Sequence, residues 1–146
     1  GKSFIPDILV VLMANSPTIK SEWIDDSIKL MLDDKSLTSV VPAVKDQDKH
    51  PFRAKKLSKE GNLVSFFNFS NEIPTNRQEL PGCYFLCHNF WTIRLKNGYL
   101  PETGEAPWMF LGDKVLPFIV DESVDIHELN DLDRSSKWLK ENNIAL

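Results

Sequence analysis

The residues Ile8-Leu-Val-Val-Leu-Met13 form an apolar run with no polar interruption. A strand of this kind suits burial on both faces, as in a parallel sheet covered by helices. It is far shorter than the roughly 20 residues a membrane helix needs. The chain has 146 residues, one domain's worth or a large piece of one. A parallel sheet that opens on its central strand, with no β–α unit before it, implies that an N-terminal portion is absent.

Asn15-Ser16-Pro17-Thr18 follows the run. Open α/β sheets collect ligands at the carboxyl ends of their strands, so this loop is either a site or a turn leading into the next helix. Ile24, Ile28, Met31 and Leu32 recur at helical spacing and predict a helix over 21–34, capped by Ser21. Leu37 to Val44 reads as a strand, and Pro42 within it points to an edge or a bulge. From Lys45 to Lys59 the chain is polar and basic, which suits either a solvated face or cations turned into a site. Gly61-Asn62 fits a hairpin turn before Leu63 to Phe67. Residues 68–82 read as loop. Tyr84 to Leu95 reads as one long aromatic strand. Trp108-Met-Phe110 is a short apolar step, and Asn130 can cap a closing helix that reaches about Asn142, with Leu129, Leu132 and Leu139 inward and Trp138 at the border.

Next comes the stretch Val115-Leu-Pro-Phe-Ile-Val-Asp121-Glu-Ser-Val-Asp125-Ile-His127. An apolar strand ends in acids, and Asp125 and His127 then fall on one side of an extended backbone. A carboxylate and an imidazole at the exit of a buried strand, just before a helix, form a candidate divalent-metal position.

The net charge of −4 argues against a general nucleic-acid binder, which needs a basic surface, though it leaves room for a local basic pocket. Cys83 and Cys87 form neither a C-x-x-C pair nor a zinc set and read as reduced thiols of a cytoplasmic protein. Gly1-Lys2-Ser3 lacks the upstream glycine and strand of a phosphate-binding loop. Strand–helix–strand, then several strands, then strand–helix predicts an α/β fold with an antiparallel excursion over residues 50–100.

Several strings occur in the order and at roughly the spacing of one family. Asn76-Arg77-Gln78-Glu79-Leu80-Pro81 resembles the R-Q-x-L-P segment of the CMP–sialic acid synthetases, the acylneuraminate cytidylyltransferases. Ser123-Val-Asp125-Ile-His127 lies where that family has S-I-D-I-D, and Asp131-Leu132 where its last helix opens with D-L. His50-Pro-Phe-Arg53 resembles its H-P-x-K segment, and Val11 to Pro17 takes the place of its L-Q-P-T-S-P loop. The departures are Met13, Asn15, Ile19 and His127, together with Cys87-His88-Asn89-Phe90-Trp91 in place of an N-G-A-x-Y strand.

The resemblance implies a Rossmann-like mixed sheet flanked by helices, of the nucleotide-diphospho-sugar transferase type, with an antiparallel dimerisation arm. It implies that the chain corresponds to the C-terminal portion of such an enzyme. The CTP-binding segment would then be missing and this chain alone inactive. The implied reaction moves CMP from CTP to the anomeric hydroxyl of an acidic nine-carbon-type sugar, with release of pyrophosphate, Mg²⁺ or Mn²⁺ as the ion, and a cytoplasmic homodimer as the working form. Asp125 is the implied metal carboxylate. His127 would bind metal, act as a base or cap the helix. Arg77 and Arg53 are candidate grips for an anionic group, since a guanidinium takes a carboxylate in two prongs. Gln78, Asn15 and Ser16 are candidate partners for sugar or nucleotide, and Trp91 and Trp108 either line the sugar pocket or belong to the core. His88 replaces a small residue and either narrows that pocket or is a satisfied, partly buried histidine. The competing expectations are a transferase for another sugar and a noncatalytic binding or dimerisation module.

Overall fold

The computed structural model describes residues 4–70 and 72–144. Gly1-Lys2-Ser3 lies outside the described residues. The chain divides into two compact units, one made of residues 1–44 and 86–146 and the other of residues 45–85.

The larger unit is built on a mixed sheet. β1 (Ile8–Leu12) pairs antiparallel with β6 (Phe90–Arg94), β6 pairs antiparallel with β2 (Ser39–Lys45), and β2 pairs parallel with β7 (Val115–Ile119). Successive side chains of β2 point to opposite faces. Val40 joins Met31 and Leu37 on one face, with Leu116 and Phe118 packed against them. Val41 joins Trp91, Ile93 and Leu111 on the other, backed by Trp108 and Phe110.

The first face is covered by helices. α1 (Ser21–Asp33) presents Ser27 and Met31 inward, and the Ser27 hydroxyl pairs with that of Thr92 in β6 at 2.7 Å. α2 (Leu129–Glu141) meets α1 through Trp138 and Trp23, with ring centres 5.7 Å apart, and the Lys20 ammonium sits over both rings. The opposite face is closed by a short 3-10 turn, Met109–Leu111. The α/β expectation therefore holds, with a mixed sheet flanked by helices.

Several local expectations are corrected. β1 is not buried on both faces: among the described residues it pairs only with β6, and Leu9 and Leu12 are 37% and 58% exposed. Pro42 lies not at an edge but in β2, which has partners on both sides. It is tolerated because pairing with β6 runs only through Ser39 and Val40. Beyond that break Pro42 needs only to accept, and its carbonyl takes the Cys87 N–H at 2.8 Å. The long aromatic strand is two, β5 (Tyr84–Leu86) and β6, broken at Cys87-His88-Asn89. Asn89 holds that break: its side-chain oxygen accepts from the Phe90 N–H at 2.9 Å, and its amide donates to the Thr18 carbonyl at 3.3 Å.

Helix ends also differ. Ser21 caps nothing, since the cap position is Lys20 and has no side-chain bond. Arg94 instead serves the other end of α1, donating to carbonyls of Met31, Asp34 and Leu37. α2 begins at Leu129 with a reciprocal box between Glu128 and Asp131, not at Asn130. That start turns Leu129 and Leu132 outward, 81% and 46% exposed, and Ser135, Trp138 and Leu139 inward. Leu32 is likewise 51% exposed, and Leu30 packs in its stead.

The smaller unit holds the hairpin of β3 (Lys55–Leu57) and β4 (Leu63–Ser65). Gly61 sits in its turn at φ +83°, a conformation that L side chains rarely adopt. Phe52 meets Phe69 edge-on, Phe69 meets Phe67 at a tilt, and Phe67 meets Phe66 edge-on. The His50 ring is buried and accepts the Phe52 N–H, which fixes the Pro51–Arg53 turn. Residues 68–82 contain a second such turn, Arg77–Glu79, capped by the Asn76 side chain.

Candidate functional site

In the larger unit the chain between β7 and α2 is tied to the loop after β1. The Val124 N–H donates to the Thr18 hydroxyl at 2.9 Å, the Ser16 hydroxyl donates to the Val124 carbonyl at 3.2 Å, and the Ile126 N–H donates to the Asn15 carbonyl at 2.7 Å. Ser16 is 1% exposed and its hydroxyl is engaged in this bond. Asn15 contributes its backbone and has an exposed side chain. The loop is thus a brace that fixes Asp125 in position.

Asp125 is half-buried. One carboxylate oxygen lies 3.6 Å from Nδ1 of His88, too long for a hydrogen bond. Its other oxygen, Oδ1, is buried and has no hydrogen-bond partner among the described residues. His88 meets Trp91 and Trp108 edge-on, each ring centre 5.6 Å away, and the two indoles lie 6.0 Å apart. Among the described residues Nε2 of His88 is buried without a partner as well. Trp91 is anchored by its indole N–H on the Cys87 carbonyl at 2.8 Å. Beside this group, burial pushes the Cys87 thiol up to about 11, with the Asp125 charge adding to the effect and the Ser123 hydroxyl opposing it. Cys87 is a protonated, inert thiol near neutral pH.

The structure therefore brings Asp125, Trp91 and Trp108 together through His88, and both tryptophans also pack in the core. His127 takes a different place. Its ring is exposed, and its backbone N–H donates to Asp131, as does that of Glu128. These N–H groups hold the Asp131 carboxyl below its ordinary value, the His127 N–H first.

A divalent cation fits the donor set in a limited way. Among the described residues no group of three or more His, Cys, Asp or Glu side chains could hold a metal. Mg²⁺ does not need one, because it is commonly held by one or two carboxylates and keeps several waters. The unpartnered, buried oxygen of Asp125 is the donor that matches this mode.

In the smaller unit Arg77 and Gln78 line one cavity of about 570 Å³ with Lys45, Gln47 and Asp48. The Arg77 guanidinium is paired with the Asp48 carboxylate. Arg53 lines a separate cavity of about 310 Å³ with Phe52, Lys55 and Phe69, so the two arginines do not converge on one cavity of this unit.

His88, read as narrowing a sugar pocket or as a satisfied, partly buried histidine, is the link between Asp125 and the two indoles. One residue was missed by sequence reading. Gln47 was hidden in Lys45-Asp-Gln-Asp-Lys49, which reads as a solvated charge run.

The class the fold defines is α/β, with a mixed sheet flanked by helices. Among solved structures the chain is similar to CMP:2-keto-3-deoxy-manno-octonic acid synthetase complexed with CTP, with a TM-score of 0.58 and 15% identity over 93% of this chain. The chain spans 63% of that protein's length. No protein-family model matches the chain, and no curated protein matches it.

Proposed function

We propose that the protein carrying this chain is a cytidylyltransferase that transfers CMP from CTP to the anomeric hydroxyl of a sialic-acid-like sugar acid. The observation that carries this reading is the likeness in fold to a CMP-sugar-acid synthetase complexed with CTP, joined to motif matches that run in the order of the acylneuraminate enzymes.

In the proposed reaction the anomeric oxygen forms a bond to the α-phosphorus of CTP, the bond from that phosphorus to the bridging oxygen breaks, and pyrophosphate leaves. The hydroxyl proton is released. Such a displacement needs neutralisation of charge and in-line positioning. Mg²⁺, or Mn²⁺ in its place, would neutralise phosphate charge when bound at Asp125. The orphaned Oδ1 of Asp125 supports that role. His127 takes no direct part in holding the ion in this reading, consistent with its exposed ring and with the poor match of imidazole to Mg²⁺. Arg77 takes the sugar carboxylate as a two-pronged donor, displacing Asp48, and Gln78 serves sugar hydroxyls. Trp91 and Trp108 hold His88 edge-on beside Asp125, and Arg53 acts as a separate cation of the smaller unit.

The working form is a cytoplasmic homodimer. The exposed Leu57, Leu63, Phe66 and Phe67, at 70%, 73%, 50% and 44%, support an apolar contact between copies of the excursion. Among the described residues no helix is long and apolar enough to cross a membrane.

The test offers the protein each of the four ribonucleoside triphosphates against a panel of 2-keto-3-deoxy sugar acids and neutral sugars. Pyrophosphate release only with CTP and only with the sugar acids is the expected outcome. Release with another triphosphate, or with neutral sugars, contradicts the reading.

A further inference from the structure

In the smaller unit one side chain, Gln47, reaches several backbone groups of the segment that carries Arg77. The Gln47 amide nitrogen lies 3.5 Å from the Arg77 carbonyl, 3.4 Å from that of Leu80 and 3.2 Å from that of Pro81. Its amide oxygen accepts the Cys83 N–H at 2.6 Å. The orientation of the amide follows from these partners, because a flipped amide would set an oxygen against three carbonyls and a donor against an N–H.

The neighbours of Gln47 strengthen the grip. The Asp46 N–H donates to the Cys83 carbonyl at 3.1 Å. The Asp46 carboxylate accepts the N–H groups of Asp48 and Lys49 at 2.9 and 3.2 Å, which folds 46–49 into a tight turn. Asp48 then pairs with Arg77 itself. The Arg77 side chain is 55% exposed, so packing does not fix it. Its presentation depends on where the turn at 77–83 places its backbone.

We propose that Gln47 is the positioning residue for Arg77 and Gln78, and through them sets the affinity for the acidic end of the sugar. The second half of this inference rests on the cytidylyltransferase reading; the first half stands on the hydrogen bonds alone. Gln47 contributes no group to the reaction. It acts by holding the 77–83 backbone against the 46–49 turn.

The test uses Gln47→Ala and Gln47→Glu in two measurements. The first is amide hydrogen exchange on the 146-residue chain. In Gln47→Ala the Cys83 amide should exchange at least roughly tenfold faster, with the amides of Phe90–Arg94 unchanged as a control for folding. Gln47→Glu keeps the acceptor for Cys83 and replaces the donor by an oxygen facing three carbonyls. It should leave the Cys83 amide protected while the turn loosens around Leu80.

The second measurement is steady-state kinetics on the protein that carries the chain. Both variants should raise KM for the sugar acid by about tenfold or more, with kcat and the KM for CTP little changed. Unchanged exchange at Cys83 in Gln47→Ala overturns the proposal. Faster exchange with an unchanged sugar-acid KM overturns its functional half and leaves Gln47 a purely structural clamp. If the unaltered protein turns over no sugar acid, the cytidylyltransferase reading fails, and the exchange result still decides whether Gln47 holds the turn.

Discussion

The two units solve the same problem, fixing side chains in place, by different means. In the larger unit, a packed core and buried hydrogen bonds do it. Phe90 and Val40 are fully buried, and Asp125 is placed by a brace between β7 and the loop after β1. In the smaller unit the apolar side chains are largely turned outward, and the backbone that carries Arg77 is placed by the polar clamp of Gln47 and Asp46. A packed frame tolerates little change in volume and resists solvent. A polar clamp on exposed backbone opens locally at small cost in free energy. The contrast suits the proposed roles, since charge neutralisation at phosphorus demands rigid geometry, while capture of a sugar acid tolerates a movable arginine.

The largest effect that would break this contrast is on stability. Phe90→Ala should cost about 3–5 kcal/mol in denaturant unfolding, as large-to-small changes in a packed core do. Phe66→Ala, at a half-exposed position of the smaller unit, should cost less than about 1 kcal/mol at a concentration where the protein is monomeric. Equal costs would mean that the smaller unit has a core of comparable weight.

The next effect is on rate. Asp125→Asn should lower kcat by at least about a hundredfold, the scale of losing a main charge-stabilising group, with melting temperature nearly unchanged. A large drop in melting temperature instead would make Asp125 part of the brace rather than of the chemistry.

A smaller effect concerns Asp48. Asp48→Asn frees Arg77 of a competitor for its guanidinium. Because exposed ion pairs are weak, KM for the sugar acid should fall only about two- to fivefold. A rise in KM would show that Asp48 orients Arg77 for the ligand instead of competing with it.

The smallest effect separates a local electrostatic site from both regions. The Ser36 hydroxyl first, then the Ser36 N–H and Lys114, hold the Asp34 carboxyl at about 2, below its ordinary 3.8. A folded value below the unfolded one stabilises the protein fully above pH 3.8, and that contribution is lost as pH falls through about 2. Ser36→Ala should raise the Asp34 value followed by NMR titration and flatten stability across that window. An unmoved titration would assign the shift to the Ser36 N–H and Lys114.

Much of this was legible in the sequence. Apolar periodicity marked α1, β2, β7 and α2, because burial of one stripe or strand dictates those patterns locally. The turn at Gly61-Asn62 was legible because a glycine tolerates the positive φ that the turn requires. The break at Cys87-His88-Asn89 was not: its cause is a long-range bond from Asn89 to Thr18, and no local pattern reports such a partner. The exposure of Leu9, Leu12, Leu129 and Leu132 escaped because composition shows that a residue is apolar and not what covers it. At the site, Asp125 stood out by its place at the exit of an apolar strand, and Arg77 by its motif match. The contact of His88 with Asp125 and the reach of Gln47 to Cys83 join residues distant in sequence, and only the fold puts them side by side.

The central claim is CMP transfer to a sugar acid, and ³¹P NMR of the protein that carries this chain tests it most directly. With CTP, Mg²⁺ and a 2-keto-3-deoxy sugar acid, the account predicts loss of the three triphosphate resonances and growth of pyrophosphate together with one new phosphodiester signal, in equal amounts. Pyrophosphate accompanied by free CMP, or an unchanged CTP spectrum across the panel of sugar acids, would contradict it.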